Sequence, residues 1–485
     1  MVTRAKRFGL NDYFGAGQTA YPWLVLDRLS ARPYSAWSFA RRMTRRWNGP
    51  VGRLYRTSDG VEADVYGRGR LGLVDPWAIR AWNGWNKIRN SVFEHAGGTA
   101  PSNFTANDTG GAAIASTLFP GETAWSFNAV GDRPFLVQVN IPVKAGYTYS
   151  LSFEVESVTG GATATNMIGS QSSPAGTTSD FPACTANPSG TSTGVVQVGR
   201  LVRRYGVIAD GTIAIRLGLG VNFAITATAV ISRPQFENYP TPTDYEPRTS
   251  AQLGAGDSLW QKLYDQTGAG RHFEQSSNLI MPYACVGGMP VTENGIQSAE
   301  FVAADARRMA VPSSQSLYNF LHTTGGSVNC LSRTNNTTAI KILLASRRSS
   351  VRAGVYLYRG SGEQFAMSSG RQNVAGVATD GSTSVVISGT SGLTNRSCVA
   401  LFDADNSTAA ERAKLYIDST LDPTTNIETA TPFVENSEGL LTLGATSNGG
   451  VPHDGTITEL AVWDSLIGSG DRGTLWSDAS SLWGL

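Results

Sequence analysis

The chain has 485 residues, more than one ordinary domain needs, so two or three units each able to bury a core are expected. Only 16% of residues are charged and the net charge is +1, while 54 glycines among many Ser, Thr and Asn separate short apolar runs, a usage that points to a mainly β chain. Cys184, Cys285, Cys330 and Cys398 are too scattered for a CxxC motif, a zinc-ligand spacing or a small disulfide framework, so free buried thiols are expected, and the absence of any run of 18 apolar residues argues against a membrane-spanning helix.

The near-neutral total conceals a split. Residues 1–90 carry 16 Lys/Arg against 6 Asp/Glu, and the remaining 395 carry 23 against 32. A basic end suits either docking to something anionic or an ordinary solvated surface. The first residues, MVTRAKRFGLNDYFG, lack the apolar core of an export signal. Residues 1–20 are read as an anchoring segment. Tyr13, Phe14 and Trp23 make this end too apolar for a free tail, so it should pack on its own domain or dock to a larger assembly.

Residues 33–49 predict one short N-terminal helix, with Ser35 as N-cap, Ala36, Ala40, Met43 and Trp47 at helical spacing, and Gly49-Pro50 as the stop. Arg41, Arg42, Arg45 and Arg46 then lie off the apolar stripe. A strand over 51–56 follows, closed by the turn Ser58-Asp59-Gly60. From about residue 90, alternating runs at 135–143, 147–155, 211–219 and 223–231 suggest a jelly-roll sandwich over 90–248, with the four-proline stretch 233–250 as its exit linker. Further strand-like runs fall at 340–345, 351–358, 383–388, 398–403, 413–418, 440–445 and 456–463, and a closing helix at Asp471 to Trp483.

Two separated pieces resemble halves of one pattern. Ser35-Ala-Trp-Ser-Phe-Ala-Arg-Arg through Gly49-Pro50 and Arg56-Thr-Ser-Asp59 is similar to the first half, and Tyr264-Asp-Gln-Thr-Gly-Ala-Gly270 to the second half, of a motif in the catalytic domain of the α-L-arabinofuranosidase B family and in phage structural proteins that share its sandwich. The closing strands, Leu443-Gly444 through Gly455-Thr456 and Trp463, are similar to that family and to concanavalin A-like sandwiches. The resemblance implies a concanavalin A-like sandwich made from residues 21–89 and 249–485, interrupted by the jelly roll.

A retaining glycosidase needs two carboxylates about 5 Å apart. In the family one is a Glu in the early strands and the other an Asp in a loop after Leu-Gly. This chain has no Asp or Glu from 306 through 362, and Asn448 stands at the second place. An amide cannot supply the proton. No catalytic residue is therefore assigned. Asp265, Glu274, Glu300, Asp305 and Asp454 are the acids from which a rebuilt site would draw.

The same span is basic, so Arg333, Lys341, Arg352, Tyr356 and Tyr358, with Asn448, are candidate contacts to an anionic glycan through charge and ring stacking, the alternative being that the cations pair with acids elsewhere. Arg41, Arg42, Arg45 and Arg46, with Tyr13, Phe14 and Trp23, are candidate docking residues. Asp403-Ala-Asp405-Asn-Ser407 starts like a calcium loop, but Thr408 and Lys414 occupy the places of its Gly and Glu, so a polar hairpin is expected. No metal or cofactor site is expected, and no GxSxG signature occurs.

Taken with the resemblance, these features imply a fibre, spike or head-decoration subunit of a phage particle, assembled in the host cytoplasm and exposed on the virion. Its partners would be other virion proteins, host surface glycan and further copies of itself, trimers being common in such appendages. Neither membrane insertion nor specific nucleic-acid binding is expected. An active glycoside hydrolase and a purely structural cement protein are the alternatives.

Overall fold

In the computed structural model, residues 24–485 are described except 69–70, 85, 89–90, 95–99, 108–110, 131–133, 144–147, 161–167, 174–197, 206–213, 221–225, 239–241, 248–255, 336–338, 349–352, 361–363, 373–380, 388–394, 409–410, 422–424 and 427–430. Tyr13, Phe14, Trp23, Cys184 and Arg352 fall outside the described residues.

The early hairpin pairs Gly52–Arg56 with Glu62–Val65, turning through Asp59, whose carboxylate accepts the Val61 N–H, and Gly60 at φ +73°. Gly52–Arg56 then pairs antiparallel with Ser258–Leu263, some 200 residues later. From Ser258–Leu263 the ladder runs two ways. One arm passes through Tyr283–Val286 and Ala299–Phe301 to Gly455–Trp463, Gly326–Thr334, Arg396–Phe402 and Ala413–Ile417. The other passes through Phe273–Glu274, Met309–Ala310 and Thr442–Leu443 to Lys341–Ala345, Val355–Arg359 and Phe365–Gln372.

Both arms face one core. Val328, Cys330, Leu460 and Val462 come from the first and Leu344, Leu357 and Met367 from the second, closed by Trp37, Trp260 and Phe301. Each such side chain contributes about 1.5–3 kcal/mol on burial, which is what holds the two layers face to face. The result is a mainly β sandwich, as the sequence implies.

The helix expected over 33–49 is not formed. Ser35–Ser38 is a strand on Gly455–Trp463, and the chain beyond it is irregular. Both faces of this strand are covered: Trp37 enters the main core, whereas Ala36 packs with Val25, Met43 and Trp463 in a second cluster. A strand buried on both sides loses the alternation that identifies strands, so its apolar residues mimic a helical stripe. Ser38 ends it, its Oγ accepting the N–H groups of Ala40 and Arg41 at 3.0 Å.

A helix does form at Pro76–Asn83, with Asp75 accepting the Trp77 N–H at 2.9 Å, Pro76 in the first turn and Gly84 at φ +78° as C-cap. The closing helix, Ser469–Trp483, lies where the sequence places it. Its Asp471 receives the N–H groups of Ser30 and Ala31, and its Asp478 meets Arg28 and Arg41. No helix among the described residues is long and apolar enough to cross a membrane.

Between the two parts of the sandwich lies a second one. Its five-stranded sheet runs Gly199–Tyr205, Tyr149–Val158, Thr226–Glu237, Thr123–Val130, Ala112–Ala115, and its four-stranded sheet Thr105–Asn107, Phe135–Pro142, Ala214–Gly220, Ile168–Ser173. Trp125, Phe127, Leu136, Phe153, Leu219 and Ile231 form a core separate from the main one. The exit linker expected from residue 233 begins later, because Thr226–Glu237 continues through Pro234. The ladder shifts register between Ser232 and Gln235, and a bulge is where a strand tolerates proline. Arg80–Glu237 at 2.7 Å, Lys87 N–H to the Phe236 carbonyl at 2.7 Å and Asn238 Nδ2 to the Val286 carbonyl at 2.8 Å tie this unit to the sandwich around it.

Candidate functional site

Strands Gly52–Arg56 and Glu62–Val65, with Gln261 and Lys262 at the end of Ser258–Leu263, turn polar side chains to solvent. A cleft of about 590 Å³ opens there. Arg53, Glu62, Gln261, Lys262, Glu274 and Arg308 line it, and Ser447 closes one wall.

Most of these groups are held by one another. Arg53 donates to Asp64 at 2.8 and 3.3 Å and lies 3.8 Å from Glu62, whose other oxygen accepts from Gln261 at 2.6 Å. Lys262 and Glu274 pair at 2.7 Å. The hydrogen bond to Asp64 raises the Arg53 pKa further, so its charge is fixed at every ordinary pH. Tyr264 donates to the same Asp64, and burial together with that carboxylate pushes its hydroxyl up to about 12. Arg308 differs. It donates Nη1 to the Ala306 carbonyl at 3.1 Å and has no carboxylate partner among the described residues, and partial burial lowers its pKa. It is the cation in this cleft that an incoming oxygen can meet.

The two motif halves do meet. Ala36 N–H donates to Asp265 Oδ1 at 3.1 Å, Gln266 N–H to the Ala36 carbonyl at 2.8 Å, and Trp37 Nε1 to the Arg271 carbonyl at 2.8 Å. Gly268 and Gly270 take φ of +84° and +75°, the left-handed region that favours glycine. Asp265 is fully buried and accepts four hydrogen bonds, so this stretch is a clasp in which no carboxylate is open to a substrate.

The glycan residues expected from sequence are only partly gathered. Tyr356 and Tyr358 are two apart on Val355–Arg359 and share its outer face, with the buried Arg347 guanidinium 4.2 Å from the Tyr356 ring. Lys341 sits opposite Arg359 in the same ladder. Arg333 lies elsewhere, bonded to Glu293 at 2.7 Å and to Asn335, so a distant acid neutralises it and it does not join the tyrosines. Asn448 is exposed, but its Oδ1 accepts from Thr446 Oγ1 at 2.6 Å and Gly450 N–H at 3.3 Å, which makes it a turn brace. Its neighbour Ser447 is the residue that reaches the cleft.

Of the expected docking cations, Arg45 and Arg46 are exposed. Arg41 and Arg42 are 2% and 9% exposed, which corrects their reading as docking groups. Arg41 is bound instead to both oxygens of Glu459, at 2.5 and 3.0 Å, and to Asp478. Losing water so completely requires such partners, and the helix expected here hid them.

Arg53, Glu62, Gln261 and Lys262 of the cleft are not singled out as site residues by the sequence. The polar members of two short alternating runs, Arg53 in GRLYR and Glu62 in EADV, were the available signal. Asp403 accepts from Asn406 at 2.7 Å within a polar hairpin, and among the described residues no group of three or more His, Cys, Asp or Glu is placed to hold a metal.

No protein-family model matches the chain, and no curated protein matches it. Among solved structures it is similar to the CBM40 domain of Ruminococcus gnavus IT-sialidase bound to α2,3-sialyllactose, at 18% identity over 32% of this chain and 84% of that one, with a TM-score of 0.25. It is also similar to the binding domain of botulinum neurotoxin DC in complex with SialylT, at 10% identity over 44% and 48% of the two chains and a TM-score of 0.28. An arabinofuranosidase complexed with arabinofuranosyl-α-1,2-xylobiose matches at 13% identity over 46% and 50%, also at 0.28. TM-scores of this size leave the cleft to be judged on its own residues.

Proposed function

We propose that the protein is a structural subunit of a phage particle, a fibre, spike or head-decoration protein, that binds host surface glycan in the cleft of its main sandwich without hydrolysing it. The observation that carries the glycan part is the cleft itself: a long open surface of paired donors and acceptors, with Arg308 left to donate to a ligand oxygen. Sugar hydroxyls each offer a donor and an acceptor, so a preformed polar lattice is the surface that recognises them with little ordering cost. The virion part is supported by the sequence resemblance alone, and docking would then use the N-terminal end with Arg45 and Arg46.

Hydrolysis is disfavoured by the surroundings of the two acids in the cleft. A glycosidase acid sits in apolar surroundings, whereas Glu62 and Glu274 are more than 40% exposed and each faces a cation. An array of host-surface oligosaccharides probed with the full chain, followed by saccharide-release assays on every glycan bound, tests both parts. Retention of an oligosaccharide with no released sugar is the expected result. Turnover abolished by Glu62→Gln or Glu274→Gln would replace binding with hydrolysis, and no retention at all would leave a cement role. Imaging of particles with labelled protein tests the virion location.

A further inference from the structure

The inserted sandwich holds a second cavity, of about 220 Å³, away from the cleft. Ser91, Glu94, Gly121, Glu122, Thr123, Arg233 and Tyr245 contribute to its wall, drawn from the entry into the unit, two of its strands and its exit. We propose that this cavity binds one neutral sugar ring.

Arg233 organises it. The residue sits at the bulge of Thr226–Glu237 with φ +52°, a conformation unfavourable for any residue with a Cβ. Its guanidinium donates to both oxygens of Glu122, at 2.8 and 2.5 Å, and lies 3.3 Å from the Phe119 ring centre. A bulge alone needs no arginine there, and glycine would hold the same angle without strain. The two bonds to Glu122 fix the guanidinium with Nη1 unpartnered among the described residues. Thr123 Oγ1 is likewise unpartnered among them. Tyr245 is pinned beside it, its hydroxyl donating to the Ser91 carbonyl at 2.9 Å and its ring centre 5.4 Å from the guanidinium.

Size and charge choose the ligand. The volume lies below the range of about 300–1,000 Å³ of pockets for drug-sized molecules, so it suits one ring. Glu122 already holds the Arg233 guanidinium with both oxygens and Glu154 also acts on it, so a carboxylated sugar would meet a cation that is already compensated. A neutral ring brings hydroxyls that accept from Arg233 and Thr123 and donate to Glu122.

The test titrates the full chain with the methyl glycosides of glucose, galactose, mannose and N-acetylglucosamine, and with N-acetylneuraminic and glucuronic acids, by ligand-observed NMR. At least one neutral sugar should bind and neither acid should. Arg233→Gly relieves the backbone strain while removing the guanidinium, and Thr123→Trp fills the cavity from a different residue; each should weaken binding by about tenfold or more. Arg308→Ala, in the main cleft, should leave it unchanged, which separates this site from the cleft reading. Failure of all four neutral sugars, tighter binding of an acid, or affinity that survives both cavity variants overturns the proposal.

Discussion

Asp265 accepts the backbone N–H of Ala36 at 3.1 Å across 229 residues of sequence, and through it the late half of the sandwich holds the early half. The same carboxylate accepts from Thr267 N–H and Oγ1 and from Arg271 N–H. Asp265→Ala would leave several buried donors without an acceptor, at about 1–3 kcal/mol each before relaxation, so a loss of about 3 kcal/mol is expected in urea unfolding of the full chain. Asp265→Asn, which keeps one acceptor oxygen, should lose less. Equal effects of the two variants would show that the carboxylate does not hold the clasp.

Arg41 sits between Glu459 and Asp478 with almost no exposure. Removing one member strands buried charge, so Arg41→Met should destabilise by about 3–5 kcal/mol. The triple variant Arg41→Met, Glu459→Gln, Asp478→Asn should recover part of that loss. Additive losses measured by thermal unfolding would contradict a mutually compensating cluster.

His453 is fully buried, with Nε2 on the Arg333 carbonyl, and burial with the Arg359 charge holds its pKa to about 3 against an ordinary 6.5. The unfolded chain therefore takes up this proton first as pH falls. The stabilisation is complete above pH 6.5, shrinks below it and is spent near pH 3. His322 and His272 are shifted downward by burial in the same direction. The unfolding midpoint should fall between about pH 7.5 and about pH 4.5, and His453→Gln, with no proton to gain, should narrow that fall. An unchanged pH profile in the variant would remove His453 from the account.

Arg308 meets no carboxylate among the described residues, so Arg308→Ala should lower affinity for a retained oligosaccharide by about tenfold with the unfolding midpoint unmoved. Lys262→Ala, which frees Glu274, should have a smaller effect. Binding that is indifferent to both would move the glycan site out of the cleft.

The sequence made the β architecture legible wherever a strand is an alternating or a nearly unbroken apolar run. Lys341–Ala345, Ala413–Ile417 and Gly455–Trp463 fall on expected runs. The architecture is not legible where a buried strand is short or built from small polar residues: Ser35–Ser38 mimics a helix, and Gly326–Thr334, buried almost throughout but rich in Ser, Asn and Thr, carries no long apolar run. Pro76–Asn83 was missed although Asp75-Pro76 and Gly84 are ordinary start and stop signals. The partners of Arg41 lie more than 400 residues away, and no local pattern reveals them. The cleft is assembled from strands before and after the insert, so its residues are adjacent only once Gly52–Arg56 has found Ser258–Leu263.

The interruption of the sandwich also bears on the order in which the chain folds. Closing a flexible loop of 200 residues costs about 5 kcal/mol in chain entropy by the logarithmic rule, before Ala36 and Asp265 can touch. In the folded insert the ends are already together: Tyr245 donates its hydroxyl to the Ser91 carbonyl at 2.9 Å. An insert that folds first converts the long loop into a short, stiff one. Its core would therefore form ahead of the clasp, and the outer sandwich would close around a unit that has already brought its two halves into reach.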